Sequence, residues 1–236
     1  MNDSVANRDA FLERCLGYPV FRLRNAAALA EGLVQASSHS RWMLEVKVAV
    51  GQVADVAALT ERGFRVIDTN VQLERPAGAF PVEAASSRHA KPADEAAVRA
   101  VAASSFSQTR FHLDPRIGKA NADRVKEEWA GNFFAGKRGE WMIVAEHEGR
   151  VAGFLQMLRG ADGRLVIDLV GVQPGSRSKG IGRSMIAFAG RACLANAPMI
   201  VGTQVANSGS LRLYENLGFR VTGASYVLHL HREDLR

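Results

Sequence analysis

A basic, glycine-containing segment at residues 170–183 constrains the fold most, because it connects an apolar strand to an amphipathic helix. Its sequence, VGVQPGSRSKGIGR, contains Gly180 and Gly182, which let the backbone approach a ligand closely. The amide hydrogens and positive dipole of a helix start form an anion site, to which Arg177 and Lys179 add charge. The segment therefore predicts a phosphate-binding loop in an α/β chain.

The charge around this loop also favours an anionic ligand. The chain has 236 residues and a formal net charge of +6, and no Asp or Glu lies between Asp168 and Glu215. The same stretch contains Arg177, Lys179, Arg183, Arg191 and Arg212. A polyanion would be attracted here, and the alternative is a solvated basic helix face. Nucleic acid is not expected as a partner, because no aromatic residues interleave with these charges and no reader motif is visible.

Two other nucleotide-binding motifs do not fit the loop. A Walker loop needs Lys where Ile181 stands, and a dinucleotide fingerprint needs Gly where Met185 stands. Taken alone, an Arg followed by two glycines at these spacings fits an ordinary tight turn equally well.

Periodicity and turn residues predict the rest of the chain in outline. Strands are expected at 42–50 and 64–73 around a helix at 54–61, and a Pro- and Gly-containing linker follows within 75–92. Helices are expected at 93–106 and 121–134, followed by an antiparallel meander at 141–146, 151–158 and 165–172. The helix after the loop is followed by a strand at 198–205, a helix at 208–217 and a strand at 219–231. The segment TRFHLDP at 109–115 is expected to be irregular.

A second motif begins twenty-five residues after Gly182. Its residues are Asn207, Ser210, Tyr214, Gly218 and Phe219, in the pattern N-x-x-S-x-x-x-Y-x-x-x-G-F. Together with the loop it resembles the GCN5-related N-acetyltransferase (GNAT) superfamily over residues 93–236. The resemblance implies an α/β acyl-CoA N-acyltransferase fold with a mixed, mainly antiparallel sheet.

The resemblance also implies acetyl-CoA as co-substrate and no metal. The residues implied in CoA binding are Val170, Val172, Arg177, Ser178, Lys179, Gly180, Ile181, Gly182, Asn207 and Ser210. The superfamily commonly protonates the departing thiolate with the helix tyrosine, here Tyr214. The alternative for Tyr214 is a core-facing aromatic residue, and the alternative for Asn207 is a helix cap.

Segments at 16–23, 62–76, 106–115 and 203–221 resemble the dTDP-fucosamine N-acetyltransferase type, which acetylates the amino group of a nucleotide-linked deoxysugar. This resemblance implies Asp68 as a base acting through water, although the family residue is the longer Glu. The alternative is a strand-end aspartate in a turn. Arg110, Phe111 and His112 are expected to face the sugar nucleotide, where Arg engages phosphate and Phe stacks on a base. His112 could instead cap the turn that follows it.

The tetrapeptide Gly-Phe-Arg-Val occurs at 63–66 and again at 218–221, an offset of 155 residues. Without a gap this offset aligns 44–50 with 199–205 and 56–62 with 211–217, and it sets Pro19 on Pro174 and Arg22 on Arg177. In the first copy Asn25 and Ala27 then replace Gly180 and Gly182, and Leu59 replaces Tyr214. The repeat predicts a degenerate GNAT-like unit at 1–80, a linker at 81–92 and a catalytic domain at 93–236. The alternative is chance agreement.

The predicted function is direct transfer of an acetyl group to an amine, with a nucleotide-linked amino sugar as the expected acceptor. The alternatives are another amine, such as an amino acid, an antibiotic or a protein terminus, and a non-catalytic CoA-binding module. Cys15 and Cys193 have no metal-ligand spacing, and His229 and His231 share a strand face without a visible third ligand, so no metal site is predicted. A polar N-terminus and no apolar membrane run favour a soluble cytoplasmic protein, with a homodimer as one option for its assembly.

Overall fold

The computed structural model describes residues 6–80 and 87–235. Its strands are β1 (Ala6–Arg8), β2 (Val20–Leu23), β3 (Met43–Ala49), β4 (Arg65–Arg75), β5 (Ser87–His89), β6 (Trp141–His147), β7 (Arg150–Arg159), β8 (Leu165–Val172), β9 (Met199–Gln204) and β10 (Arg220–His231). Its α-helices are α1 (Ala10–Leu16), α2 (Leu29–Ala36), α3 (Val53–Glu61), α4 (Glu95–Ser104), α5 (Arg110–Leu113), α6 (Lys119–Phe134), α7 (Ile181–Ala192) and α8 (Ser208–Asn216).

The described strands form one sheet in the order β1-β2-β3-β10-β4-β9-β8-β7-β6-β5. In the described part of the chain, only the β2–β3 and β8–β9 pairs are parallel. This arrangement confirms the expected α/β class with a mixed, mainly antiparallel sheet. Part of the predicted linker, residues 81–86, lies outside the described residues, and the residues after it form β5 and pair with β6.

Helices cover both faces of the C-terminal part of the sheet, as the alternation of side chains along β6 shows. Ile143 and Ala145 belong to a core cluster with α7 and α8. Met142 and Val144 belong to a second cluster, with α4 and α6. Both faces of β6 are therefore buried, as a strand between two helix layers requires.

The 155-residue offset reappears in the strand pairing. Ala49 lies opposite Ser225 where β3 meets β10, and Asn70 lies opposite Gln204 where β4 meets β9. With the offset of 155, Ala49 corresponds to Gln204 and Asn70 corresponds to Ser225, so the two pairs are equivalent. The β4–β10 pair maps onto itself, with Asn70 opposite Ser225 at its centre. Helices α3 and α8 have the same offset at both ends.

The irregularities of the two central strands are also related by this offset. The β4–β10 register shifts twice, and the residues left without a partner are Ile67 on β4 and Thr222 on β10. The last strand of each half pairs with two strands of the other half, namely its last strand and the strand before it. β10 lies between β3 and β4, while β4 lies between β10 and β9.

The ungapped offset fails before β3. Phe21 pairs with Leu44 as Leu165 pairs with Met199, so Phe21 corresponds to Leu165 and not to a loop residue. The expected placement of Arg22 on Arg177 is therefore wrong, as is that of Pro19 on Pro174, because these N-terminal residues belong to β2 or directly precede it.

The connection that follows β2 is shorter than the connection that follows β8. Leu29 begins α2 six positions after Leu23, whereas Ile181 begins α7 fourteen positions after Ile167. Asn25, which was expected to replace a loop glycine, instead accepts a hydrogen bond from the Ala28 amide and caps a short turn. The shorter connection leaves the first half without an equivalent of the 173–180 loop.

Candidate active site

A cavity of about 490 Å³ opens where β8 and β9 separate. These parallel strands pair only over Leu165–Ile167 and Met199–Val201, so the rest of β8 has no neighbour on that side. The cavity is lined by the end of β8, the loop before α7, the start of α8 and the segment 105–109. The free strand edge and two helix starts thus face one space.

Most of the predicted CoA-binding residues line this cavity. They are Val170, Val172, Arg177, Ser178, Gly180, Ile181, Gly182, Asn207 and Ser210. Gly180 precedes α7 with a φ of 77°, a left-handed conformation that glycine adopts without strain. Lys179 is not among the lining residues, and its Nζ lies 2.8 Å from His147 Nε2.

Arg177 fixes the loop to two other elements. Its Nε donates to the Val172 carbonyl at 3.3 Å, and its Nη2 donates to the Ser105 carbonyl at 2.7 Å. These bonds bring the end of α4 to the edge of the cavity. At the opposite wall, Asn207 caps α8 by accepting from the Ser210 amide at 3.2 Å, which confirms the capping role.

A bulge in β8 shapes the wall of the cavity. The β7–β8 register shifts so that Asp168 has no partner on β7. Its carboxylate accepts hydrogen bonds from Trp129 and Gln156, each at 2.9 Å, and from Arg138. Beyond the bulge, the Phe154 ring lies close to the backbone of Gly171. A Cβ added at Gly171 would lie 2.6 Å from this ring, so a larger residue would require the ring to move. Bulges of this kind re-aim backbone groups beside active sites.

Tyr214 lies in the core beneath the cavity. Its residue is 2% exposed, its ring centroid is 5.4 Å from that of Phe219, and the preceding Leu213 lines the cavity. Burial raises the pKa of Tyr214 well above its ordinary value. The phenol is therefore protonated at neutral pH, as a general acid must be. Its catalytic role stays a prediction.

Asp68 reaches the cavity through a neighbour. It lies on β4 opposite Val227, nearly buried, and forms a side-chain hydrogen bond with Gln204, which lines the cavity. Burial raises the pKa of Asp68, while the hydrogen bonds and the charges of Arg110 and Lys47 act against this rise. A carboxylate with a raised pKa beside a cavity is suited to accept a proton.

The three residues expected to face the sugar nucleotide form the start of α5 and have different surroundings. Arg110 Nε donates to Glu45 Oε2 at 2.5 Å, and its guanidinium lies 4.2 Å from the Phe111 ring centroid. Phe111 itself is fully buried in a core cluster with α1 and α6. No face of that ring is open to a base, so the expected stacking has no support in this structure.

His112 is held by its own segment. Its Nδ1 lies 2.7 Å from Thr109 Oγ1 and its Nε2 lies 3.0 Å from Asp123 Oδ1. Burial lowers the pKa of His112, although Asp123 acts in the opposite direction. The histidine thus links α5 to α6, and its expected place at the sugar nucleotide stays a prediction.

The comparisons with known proteins agree with this geometry. Residues 138–221, which contain β8, the loop, α7 and α8, match the sequence model described as "Acetyltransferase (GNAT) domain". The chain carries a GNAT domain. Solved structures have a similar fold, among them a GCN5-related N-acetyltransferase from Sphaerobacter thermophilus. The TM-score is 0.60 at 16% identity, and the match covers 96% of this chain and 76% of that one.

Another solved structure has two GNAT units in one chain. It is a tandem GNAT protein from the clavulanic acid biosynthesis pathway, with a TM-score of 0.59 and 14% identity, and the match covers 90% of this chain and 75% of that one. At these identities the likeness shows the fold alone.

Two curated relatives are similar in sequence. The spore coat polysaccharide biosynthesis protein SpsD of Bacillus subtilis (strain 168) is 34% identical over 147 residues, which are 59% of this chain and 48% of that protein. The dTDP-fucosamine acetyltransferase of Escherichia coli O6:H1 is 25% identical over 192 residues, covering 79% of this chain and 80% of that protein. The chain thus spans about half the length of the first relative. Every helix in the described part of the chain is too short or too polar to cross a membrane.

The structure also contains a buried group whose third member the sequence did not reveal. Asp114 Oδ2 is 2.7 Å from His229 Nδ1 and 2.8 Å from His231 Nε2, and all three residues are buried. The expectation that these histidines lack a third partner is therefore wrong. Asp114 follows α5, and no periodicity or spacing connects it to β10. Both histidines are hydrogen-bonded to Asp114, and the absence of a metal stays a prediction.

Lys126 is a second buried group that sequence reasoning missed. It is 7% exposed, and its ammonium lies 4.8–5.6 Å from the ring centroids of Phe106, Phe111 and Trp129. No described residue accepts a hydrogen bond from it, and Phe106 also lines the cavity. Burial, together with the nearby charge of Arg110, lowers the pKa of Lys126 to about 7.

Replacing Lys126 with methionine is expected to stabilise the protein. Because the unfolded lysine binds its proton more tightly than the folded one, wild-type stability rises with pH from about 7 upward. The gain in Lys126→Met should therefore be largest near pH 6.5, about 1–4 kcal/mol, and shrink toward pH 9.5. Urea unfolding at both pH values measures it. Lys119→Met, at an exposed ion pair with Asp123, is the control and should change stability little. Destabilisation by Lys126→Met at both pH values would contradict this interpretation.

Proposed function

We propose that this protein transfers the acetyl group of acetyl-CoA directly to a primary amine carried by a nucleotide-linked amino sugar. The cavity between the separated strands β8 and β9, bounded by a glycine-containing loop and two helix starts, supports the acetyl-CoA part of the proposal. The sugar-linked names of both curated relatives support the acceptor. The acetyl-CoA is a co-substrate in this reaction.

The loop provides the chemistry that a diphosphate needs. Backbone amides at the start of α7 and the positive end of its dipole favour anions. The charge of Arg177 lies at the cavity edge, and Gly182 leaves room beside Leu213 for a ligand. Along β8, Val170 and Val172 would line the pantetheine arm, and backbone groups beyond the bulge would polarise the thioester carbonyl.

The cysteines support direct attack by the amine. Burial raises the pKa of Cys15 to about 11 and that of Cys193 to about 12. Both sulfurs are therefore thiols at neutral pH, and a thiol is a poor nucleophile. Neither cysteine lines the cavity. The acceptor amine would form the new C–N bond as the C–S bond breaks, Tyr214 would protonate the thiolate, and Asp68 would take the amine's proton through water.

The N-terminal part would form one wall of the acceptor site. Lys47 on β3 and Asp68 on β4 both pair with Val227 of β10, so their side chains share one face of the sheet. Asp68 also contacts the cavity residue Gln204. This supports a degenerate GNAT-like unit at 1–80, a connection at 81–92 and a catalytic domain at 93–236.

The acceptor is tested by an amine panel. The purified chain and acetyl-CoA are incubated with dTDP- and UDP-linked amino sugars, free amino sugars, amino acids, aminoglycosides and peptides, and free thiol and acetylated product are measured. We expect the nucleotide-linked amino sugars to give the highest kcat/KM. Preference for an amino acid, an antibiotic or a peptide would refute the acceptor class, and slow acetyl-CoA loss with every amine would refute catalysis.

Gly182→Trp is expected to abolish acetyl-CoA binding. Any Cβ at this position already lies 3.3 Å from the Leu213 side chain, so an indole must project into the cavity. The affinity, measured by calorimetry, should fall about 100-fold or more. Gly51→Trp is the control, because an added Cβ at Gly51 meets nothing within 4 Å and the site lies outside the cavity. Wild-type affinity in Gly182→Trp would show that CoA binds elsewhere.

Tyr214→Phe is expected to retain acetyl-CoA affinity and lose turnover by about 100-fold, because only the proton donor is removed. The ring still fills the core against Phe219. Steady-state kinetics with the best acceptor of the panel measures kcat, and Tyr226→Phe on β10 provides a matched control. Unchanged turnover would assign Tyr214 to the core alone.

A further inference from the structure

We propose that His229, as a buried imidazolium, positions Arg110 through Glu45 so that the guanidinium binds an anionic group of the acceptor. The inference rests on the proposed function, which supplies the identity of the acceptor. It adds a positioning residue that lies outside the GNAT motifs. It follows from a continuous row of contacts between β10, β3 and α5.

The row begins at Asp114 and ends at Arg110. Asp114 Oδ2 lies 2.7 Å from His229 Nδ1, and on the other side of the ring His229 Nε2 lies 3.4 Å from Glu45 Oε2. Glu45 Oε2 in turn accepts from Arg110 Nε at 2.5 Å. Asp114, His229 and Glu45 are all buried, so little water screens these contacts.

The surroundings of His229 determine its charge. Its Nδ1 is hydrogen-bonded to Asp114 Oδ2, whereas its Nε2 lies 3.4 Å from Glu45 Oε2 and forms no hydrogen bond. A protonated ring places a positive charge beside both buried carboxylates, which would otherwise lack a cation between them. Burial lowers the pKa of His229, but Asp114 and Glu45 outweigh burial and raise this pKa above its ordinary value.

Alternating charges then account for the position of Arg110. Two buried carboxylates would repel each other, and the imidazolium between them allows both to stay ionised. The pKa of Glu45 is held well below its usual range by Arg110 and His229 despite burial, and the pKa of Asp114 is lowered in the same way by His229 and His231. Glu45 therefore stays a carboxylate that can anchor a guanidinium.

The anchoring leaves one side of Arg110 available. Of its guanidinium nitrogens, only Nε donates a hydrogen bond to a described residue, and the side chain is 15% exposed. The terminal nitrogens Nη1 and Nη2 are the pair that grips an oxyanion in bidentate fashion. Arg110 directly follows the cavity-lining residue Thr109, and its charge acts on the proposed base Asp68. A phosphate of the acceptor would be held there.

The other charged groups near His229 do not replace this link. His231 donates to the same Asp114 oxygen. Arg65, opposite His229 on β4, pairs with Asp234 at 3.0 Å. Arg22 lies 3.5 Å from the second Glu45 oxygen and adds to its ionisation. Raising the pH through the elevated pKa of His229 therefore removes the one positive charge between Asp114 and Glu45.

The test combines a spectroscopic and a binding measurement on the full chain. Nitrogen-15 NMR of the wild-type protein at pH 7 should show both His229 ring nitrogens protonated. Calorimetry with dTDP, UDP and inorganic pyrophosphate then compares the wild type with His229→Gln and Glu45→Gln. Both variants should bind the anions about 10-fold or more weakly. Wild-type affinity should also fall as the pH is raised through the pKa of His229, whereas affinity in His229→Gln should lack this dependence.

His89→Gln is the control, because His89 lies on β5 against Phe188 and does not touch Glu45. It should keep anion affinity, and acetyl-CoA affinity should be unchanged in all variants. A neutral His229 at pH 7, equal anion affinity in His229→Gln, or no anion binding by the wild type would each overturn the inference. If the variants behave as expected and no nucleotide-linked amino sugar is acetylated, the proposed function fails while the positioning role stands.

Discussion

The structure depends on the exchange of two strands about a centre at Asn70 and Ser225. β10 is hydrogen-bonded along both edges, to β3 and to β4, and β4 is likewise bonded to β10 and β9. Neither half can complete its sheet without the last strand of the other half, because a strand removed from this position would leave two open edges. The exchange makes the N-terminal part a component of the sheet that carries the loop.

The exchange also places charged side chains where the two halves meet. In an antiparallel pair, opposite residues share a face, so Glu45 lies beside His229, and Lys47 and Asp68 lie beside Val227. The other face of the same strands contains Val46, Leu228 and Leu230, which belong to an apolar core. One face thus packs into the core, while the other carries ionised groups. In the proposed reaction the second half would bind acetyl-CoA and supply Tyr214 as the acid, whereas the first half would supply Asp68 as the base.

Local patterns predicted most of the elements from β3 onward, because amphipathic periodicity and caps act over a few residues. The anion-binding loop and the Asn207 cap followed from local residue types, whereas the set of CoA-binding residues followed from the resemblance to the GNAT superfamily. The elements before β3 and the short helix at Arg110 were missed, since their sequences lack a clear period. Contacts such as Asp114 with His229 join residues more than a hundred positions apart, and only the register of the sheet brings them together. The burial of Phe111 and Lys126 likewise depends on how α5 and α6 pack, which no motif encodes.

We propose that acetyl-CoA binds to the C-terminal half while the acceptor binds against strands from both halves. A crystal structure of the chain with CoA and a nucleotide-linked amino sugar tests this most directly. We expect the CoA sulfur beside the β8 bulge near Val170, the amino group on the side of Asp68, and the diphosphate at Arg110. An acceptor bound wholly within residues 93–236, with no contact to β3 or β4, would contradict the account.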